Sequence, residues 1–447
     1  MPGSAVKPDT SRHAAVRLSL LFAVFYFVQG LAEPSEGLIA QPVRSLLGKW
    51  NQSPGQMAQF MAIVSAPWAI KPFYGLIIDF VPLLGSRRKN YLLFATAITA
   101  VTLLWLSVSV PAPGATGQLL TLLFVPTVAV AFSDVVIDAL MVEKGQPLGL
   151  TGRLQSIQWG SMYAATVLAG SLGGWMTQHH RQDLGFLICG LGAVVSFVAA
   201  LLWLRDDPLR TPEESARNEH TETFTEAAGL RSSDFRARLS TMRRTLTSPL
   251  FLIIAAVLFL WNFNPFSSTI QQLHLTQQLQ LTEQQYGHTV SLFSIGSIGA
   301  CAVYGLVCRS IPARWLIHLA ITGGVLSTLA YLLAEGVTSA FAVSAIAGFV
   351  YMLGNLIQMD LAARICPAEI AGSMFALLMS VSNMAIIFST SFGGWLYEWM
   401  LADSGPEVAY SLLVWIGSAT TAMCWGIVPW FTSPRESAIP MDVQKGD

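Results

Sequence analysis

Apolar stretches of membrane-spanning length recur along the chain, and short polar or charged segments separate them. A helix needs about 20 mostly apolar residues to cross the hydrocarbon of a bilayer. Twelve stretches fit: 17–33, 57–80, 91–110, 118–142, 154–177, 184–204, 249–271, 287–308, 315–334, 339–363, 372–397 and 408–431. Met1 to Arg17 is polar and mildly basic, and no small-x-small cleavage pattern precedes Glu33-Pro34. The first stretch is therefore expected to stay in the protein as a helix, not to leave as a signal peptide. Between the sixth and seventh lies 205–248, which holds eight arginines and several glutamates. The pattern predicts an all-α membrane protein with twelve transmembrane helices. Residues 1–204 form one six-helix bundle, 205–248 a cytoplasmic polar linker, and 249–447 a second six-helix bundle.

Composition agrees. Of 447 residues, 53% are hydrophobic and 11% charged, against about 25% charged in soluble domains. A deficit spread over the whole chain cannot serve a water-facing surface, which excludes an ordinary soluble enzyme, a disulfide scaffold and a disordered chain. The net charge of −1 gives no argument for nucleic acid. Cys189, Cys301, Cys308, Cys366 and Cys424 have no metal-ligand spacing and read as small apolar residues. No nucleotide loop, metal set or nucleophile–base pair is visible, so neither an enzyme nor a cofactor is expected.

Lysine and arginine orient the bundle. With the N-terminus in the cytoplasm, 21 of the 25 basic residues fall in cytoplasmic segments. Only Arg44, Lys49 and Arg181 remain outside, and Lys71 lies within a span. Both termini are thus expected in the cytoplasm of a multi-pass protein of an inner or plasma membrane. Residues 211–235 carry too few large apolar side chains to fold alone. Arg236 to Arg244 would suit a short basic helix on the anionic leaflet.

The two halves repeat. Tyr74-Gly75-Leu76 recurs as Tyr304-Gly305-Leu306, and Pro82 as Pro312, at an offset of 230. Pro147 recurs as Pro367, Gly152 as Gly372, and Ser171-x-Gly173-Gly174-Trp175 as Ser391-x-Gly393-Gly394-Trp395, at an offset of 220. Two parallel six-span repeats describe the major facilitator architecture, whose substrate sits between the halves near the midplane. Pro34 and Pro265 also correspond, each beside polar residues at the end of its half's first span. Paired interruptions point to a binding site, or merely end two helices at the outer surface.

Several residues carry candidate chemistry. Gly75-x-x-x-Asp79 followed by Gly85-x-Arg87-Arg88 lies between spans two and three. A carboxylate there can pair with basic groups while an inner gate is shut and release them when it opens. Glu143 and Arg153, at the cytoplasmic ends of spans four and five, complete this gating set. Asp134 and Asp138 are four residues apart on one face of span four. Carboxylates at that depth are costly unless paired or hydrated, and Lys71 is the available partner. One lysine leaves one aspartate over, which suggests a proton-coupling group. A carboxylate can accept two parallel donors of a solute; Asp134 or Asp138 is a candidate acceptor, with Lys71 holding it ionised. Trp159 would stack on a flat ring, and Gln158 and Asn383 would face the cavity. Asp360 and Arg364 read as a helix-end ion pair.

Three stretches together resemble the folate–biopterin transporter family of the major facilitator superfamily. They are Ala66-Pro67-Trp68-Ala69-Ile70-Lys71-Pro72-Phe73-Tyr74-Gly75 continuing to Arg87-Arg88-Lys89-Asn90-Tyr91-Leu92, Ala131 to Leu140 with Val142-Glu143, and Leu154-Gln155-Ser156-Ile157-Gln158-Trp159-Gly160-Ser161. Tyr26-Phe27-Val28-Gln29-Gly30 adds a weaker match. The resemblance implies proton-coupled transport of folate or pterin-like solutes, with Lys71, Asp79, Arg87, Arg88, Asp134, Asp138, Glu143 and Trp159 at family-motif positions. Its implied partners are a small-molecule substrate, the proton and the lipid bilayer, with the protein a monomer. One departure is Glu33-Pro34-Ser35-Glu36, whose two acids would repel an anionic folate. The alternatives are a facilitator of another amphiphile, such as a muropeptide-like solute or a drug, and a non-transporting receptor or membrane enzyme.

Overall fold

A computed structural model describes residues 8–81, 83–86, 88–145, 150–204, 247–307, 313–365 and 371–431. The first half consists of α1 (Pro8–Ala32), α2 (Ala40–Lys49), α3 (Pro54–Ser65), α4 (Lys71–Phe80), α5 (Lys89–Val108), α6 (Thr116–Gly145), α7 (Thr151–Gln178) and α8 (Gln182–Trp203). The second consists of α9 (Pro249–Asn262), α10 (Ser268–Leu273), α11 (Glu283–Val307), α12 (Ala313–Leu329), α13 (Val337–Ile365), α14 (Ala371–Ser404) and α15 (Pro406–Phe431). Every predicted span falls mainly on helix among the described residues, the seventh being interrupted between Asn262 and Ser268. Among the described residues, nine helical segments are long and apolar enough to cross a membrane. The predicted spans that fall short are the fifth (α7), the seventh (α9) and the eighth (α11). Each of these lines the central cavity; in α7 and α11 polar residues dilute the apolar signal, whereas α9 is strongly apolar but stops at Asn262 and is too short. The predicted linker, Arg87, Arg309, Pro82 and Pro312, Pro147 and Pro367, Cys308 and Cys366 lie outside the described residues, as do the side chains of Asp79, Asp360 and Arg364.

Local chemistry explains where helices stop. α1 ends at Glu33-Pro34, and the Glu33 carboxylate accepts from Ser35 N (3.0 Å), Ser35 Oγ (2.6 Å) and Glu36 N (2.6 Å). It thus satisfies backbone donors of the turn that follows the helix. Asn264, 231 residues on, accepts from Phe266 N at 3.0 Å in the same way. The first helix of each half is therefore broken by an equivalent side-chain cap. Ser53 and Gln56 form a reciprocal capping box at α3, with Pro54 in its first turn. A 3₁₀ turn, Ala66–Ile70, joins α3 to α4; Pro67 lacks the N–H that would continue an α-helix. Between α4 and α5, Leu83 and Ser86 exchange two backbone bonds of 3.0 Å around Leu84 (φ 50°) and Gly85 (φ 79°). Both central residues are left-handed, as a two-residue I′ turn requires, and glycine meets that at least cost.

The repeated Gly-Gly pair has a repeated job. A Cβ at Gly173 would strike the Leu38 carbonyl beyond the break of the first span, and one at Gly393 would strike the Pro265 carbonyl in the break of the seventh. A Cβ at Gly174 would meet Glu283, Gln284 and Gly287 of α11, and one at Gly394 would meet Gly55 and Ala58 of α3. In each half the first glycine seats the broken helix of its own half. The second glycine lets a helix of the opposite half approach.

Burial follows the same symmetry. One apolar cluster, containing Leu21, Tyr26, Leu92, Val136 and Ala200, belongs to the first half alone. Another, containing Val257, Trp261, Ile321 and Cys424, belongs to the second. A third joins Leu38, Val43, Phe60 and Phe186 to Ile270, Tyr410, Leu413 and Val414 of the other half. That shared cluster sits at the end of the molecule carrying Arg44, so the halves are fused there.

Candidate functional site

Polar side chains from four helices of the first half converge between Tyr26 and Gln158. Lys71 Nζ lies 2.5 Å from Asp134 Oδ2, and Gln29 Nε2 donates to Asp134 Oδ1 at 2.5 Å. Asp138 Oδ1 accepts from the Tyr26 hydroxyl at 2.6 Å and from Gln158 Nε2 at 3.1 Å. Asp134 is buried, while Asp138 is half-buried. The lysine also sits 4.5 Å from the centroid of the Trp68 ring, close enough for a cation–π contact. Trp68 Nε1 donates to Glu33 Oε1 at 3.1 Å. Asn383, from the second half, donates to the Trp68 carbonyl at 2.9 Å.

Among the predicted binding residues, the structure thus gathers Lys71, Asp134, Asp138 and Gln158, with Asn383 reaching them through Trp68. Trp159 stands apart, its ring stacked on Tyr163 at a centroid distance of 6.1 Å. Sequence reasoning missed Tyr26, Gln29 and Glu33 as partners. Their spacing of three and then four residues puts them on one helical face, a signal that was available.

A separate cavity of about 510 Å³ lies between the halves, within the usual size range of small-molecule sites. Residues of both helix breaks line it, Glu36 and Gly37 on one side and Asn264 and Phe266 on the other. So do Tyr163, Tyr286, Tyr331 and Tyr351, together with the amides Gln41, Asn262 and Gln271. None of Lys71, Asp134, Asp138, Gln158, Trp159 or Asn383 is on its wall.

Polar bonds shut the cavity at the Arg44 end. Arg44 Nε donates to Gln272 Oε1 (2.7 Å), Gln41 Nε2 to the Glu283 carbonyl (2.7 Å), and Ser53 Oγ to Glu398 Oε2 (2.7 Å). Ser171 and Ser291 hydroxyls meet at 2.8 Å, where Gly170, Gly174 and Gly287 bring α7 and α11 backbone to backbone. Small residues four apart allow such close helix approach in a bilayer. The opposite end carries Arg88, Glu143 and the turn around Gly85. Arg88 there is buried and donates through Nε (3.0 Å) and Nη2 (2.7 Å) to Glu143 Oε1 of the same half. Gly85 shapes the neighbouring turn, Gly75 packs against Val135 on α6, and Arg153 is exposed. In the hairpin at the Arg44 end, the Arg181 guanidinium bonded to Asp183 holds that carboxyl below its usual range.

Two repeated helical halves, fused at one end around a central cavity, define a multi-pass membrane transporter of the major facilitator architecture. A solved D-xylose–proton symporter superposes with a TM-score of 0.70 at 11% identity, covering 93% of this chain and 98% of the other. A POT-family transporter superposes with a TM-score of 0.66 at 12% identity, covering 93% and 96%. At such identities the likeness is one of fold. The BT1 family profile matches residues 36–433, and the chain belongs to that family. A folate-biopterin transporter of Synechocystis sp. is 26% identical over 412 residues, covering 89% of this chain and 78% of that protein. Probable folate-biopterin transporter 4 of Arabidopsis thaliana is 23% identical over 441 residues, covering 86% and 89%. The protein is thus a transporter of small molecules and not an enzyme.

Proposed function

We propose that this protein moves pterin or folate-like solutes across the membrane by alternating access, coupled to protons and acting as a monomer. The names of its relatives supply the solute class, and the cavity supports it. Tyrosine faces suit a flat heteroaromatic ring, and the amides suit its hydrogen-bonding edges. With both termini in the cytoplasm, as the basic residues predict, the Arg44 end faces outward and the cavity belongs to an outward-closed state.

The observation that carries the coupling is the unequal pairing of the two aspartates. Lys71 is committed to Asp134, while Asp138 is held only by neutral donors within hydrogen-bonding distance. A carboxyl held that way can gain or lose a proton without stranding a cation. Spans one, two, four and five meet there, so a change at Asp138 reaches Tyr26 on the broken helix and, through Lys71 and Trp68, Asn383 of the other half. Trp159 relays to the cavity through Tyr163. At the other end Arg88 and Glu143 hold α5 to α6, and Asp79 with Arg87 completes a latch that exchanges partners as that side opens. Gly75 and Gly85 set its backbone, and Arg153 offers a further cation.

The test is reconstitution. Proteoliposomes containing the protein should accumulate biopterin or folate when a proton gradient is imposed, and muropeptide should not compete. A protein that accumulates neither solute under either gradient direction does not have this function.

A further inference from the structure

Among the residues on the cavity wall, Glu36 is the only carboxylate. Its backbone is fixed by the bond from its N–H to Glu33 Oε2 at 2.6 Å. Its side chain is exposed although it sits where both broken helices meet, so its exposure is to the cavity. Oε1 accepts from Ser268 Oγ at 3.2 Å, and Ser268 Oγ accepts from Arg44 Nη1 at 3.4 Å. Among the described residues Oε2 makes no hydrogen bond. Arg44 is buried and its Nε is directed at Gln272. The wall therefore offers one carboxylate with an open oxygen, and the Arg44 guanidinium on the same wall reaches it only through Ser268.

Asp134 and Asp138 are poorer acceptors for a solute in this cavity. Neither lines it. Both oxygens of Asp134 are occupied, by Gln29 and by Lys71, and one oxygen of Asp138 already takes Tyr26 and Gln158.

We propose that Glu36 is the carboxylate that reads the solute, accepting the adjacent 2-amino and ring N–H donors of a 2-amino-4-oxopyrimidine edge. This rests on the pterin reading above. Two parallel donors on a carboxylate make a charge-assisted, geometrically specific pair. The tyrosines around the cavity take the ring faces. Ser268 belongs to the second half, so its bond to Glu36 breaks when the Arg44 end opens. The carboxylate is then freed as solute enters.

The experiment compares biopterin with its 2,4-dioxo analogue, which lacks the 2-amino donor, on the purified full-length protein. A hydrogen bond to a charged group corresponds to about 10- to 100-fold in affinity, and the unaltered protein should prefer biopterin by that factor. Glu36→Gln should lose the preference, and Glu36→Asp, which keeps the charge, should retain its direction. Saturating biopterin should also protect Glu36 from carbodiimide labelling, read by mass spectrometry, which needs no variant. Equal affinities for the two compounds, an undiminished preference in Glu36→Gln, or labelling without protection overturns the role of Glu36 and leaves the pterin reading standing. Failure of the unaltered protein to bind either compound overturns the pterin reading and this role with it.

Discussion

Lys71 and Asp134 sit 63 residues apart in sequence, and their charged atoms lie 2.5 Å apart in the structure. The side chain of Asp134 is only 4% exposed and that of Lys71 20%. Removing one member of such a pair strands the other, at a cost of roughly 3–5 kcal/mol. Replacing both by apolar residues of similar size is often close to neutral. Lys71→Met should therefore lower the melting temperature of the detergent-purified protein strongly, and Lys71→Met with Asp134→Leu should recover most of the loss. A double variant no more stable than the single one would show that the pair does not carry this energy.

Coupling is expected at Asp138 rather than Asp134, because the lysine is already spent. Asp138→Asn keeps an acceptor for Tyr26 but removes the exchangeable proton. It should abolish accumulation driven by a pH gradient while solute counterflow persists. The measurement is uptake against counterflow in proteoliposomes under two pH gradients. Accumulation by Asp138→Asn equal to that of the unaltered protein places coupling elsewhere.

Closure at the Arg44 end depends on Gly287, whose position opposite Gly170 and Gly174 leaves no room for a side chain. Overpacking costs roughly 1–3 kcal/mol, which corresponds to about a 5- to 150-fold shift between two states. Gly287→Leu should fold, since each half keeps its own apolar core, yet hold this end open. A cysteine at Thr166 on the cavity wall should then react faster with an impermeant thiol reagent added from the Arg44 side. Unchanged labelling and unchanged transport would show that this contact does not govern closure.

Arg88 and Glu143 form a pair whose acid is 46% exposed at its side chain. The Arg88 side chain is only 10% exposed, but Glu143→Gln keeps an oxygen that can accept from it, so this change should lower the melting temperature far less than Lys71→Met does. Its effect should be on transport rate, with solute affinity preserved. A large fall in stability would mark the pair as structural rather than as part of a latch.

The helices were legible in the sequence because their causes are local. The bilayer demands apolar length, and among the described residues nine of the twelve predicted stretches meet it as helices without reference to the others. The repeat and the Asp134–Asp138 helical face were legible for the same reason, since spacing along one helix sets which residues share a side. Glu33 shows where local reading stops. In sequence it is an extra acid by the entrance, whereas in the structure its carboxylate is consumed by Ser35, Glu36 and Trp68. Glu36, three residues on, is left facing the cavity. Which aspartate receives Lys71, which glycine of each pair faces the other half, and which end is closed depend on the relative placement of helices distant in sequence. That placement is set by packing across the whole bundle, so only the tertiary structure decided it.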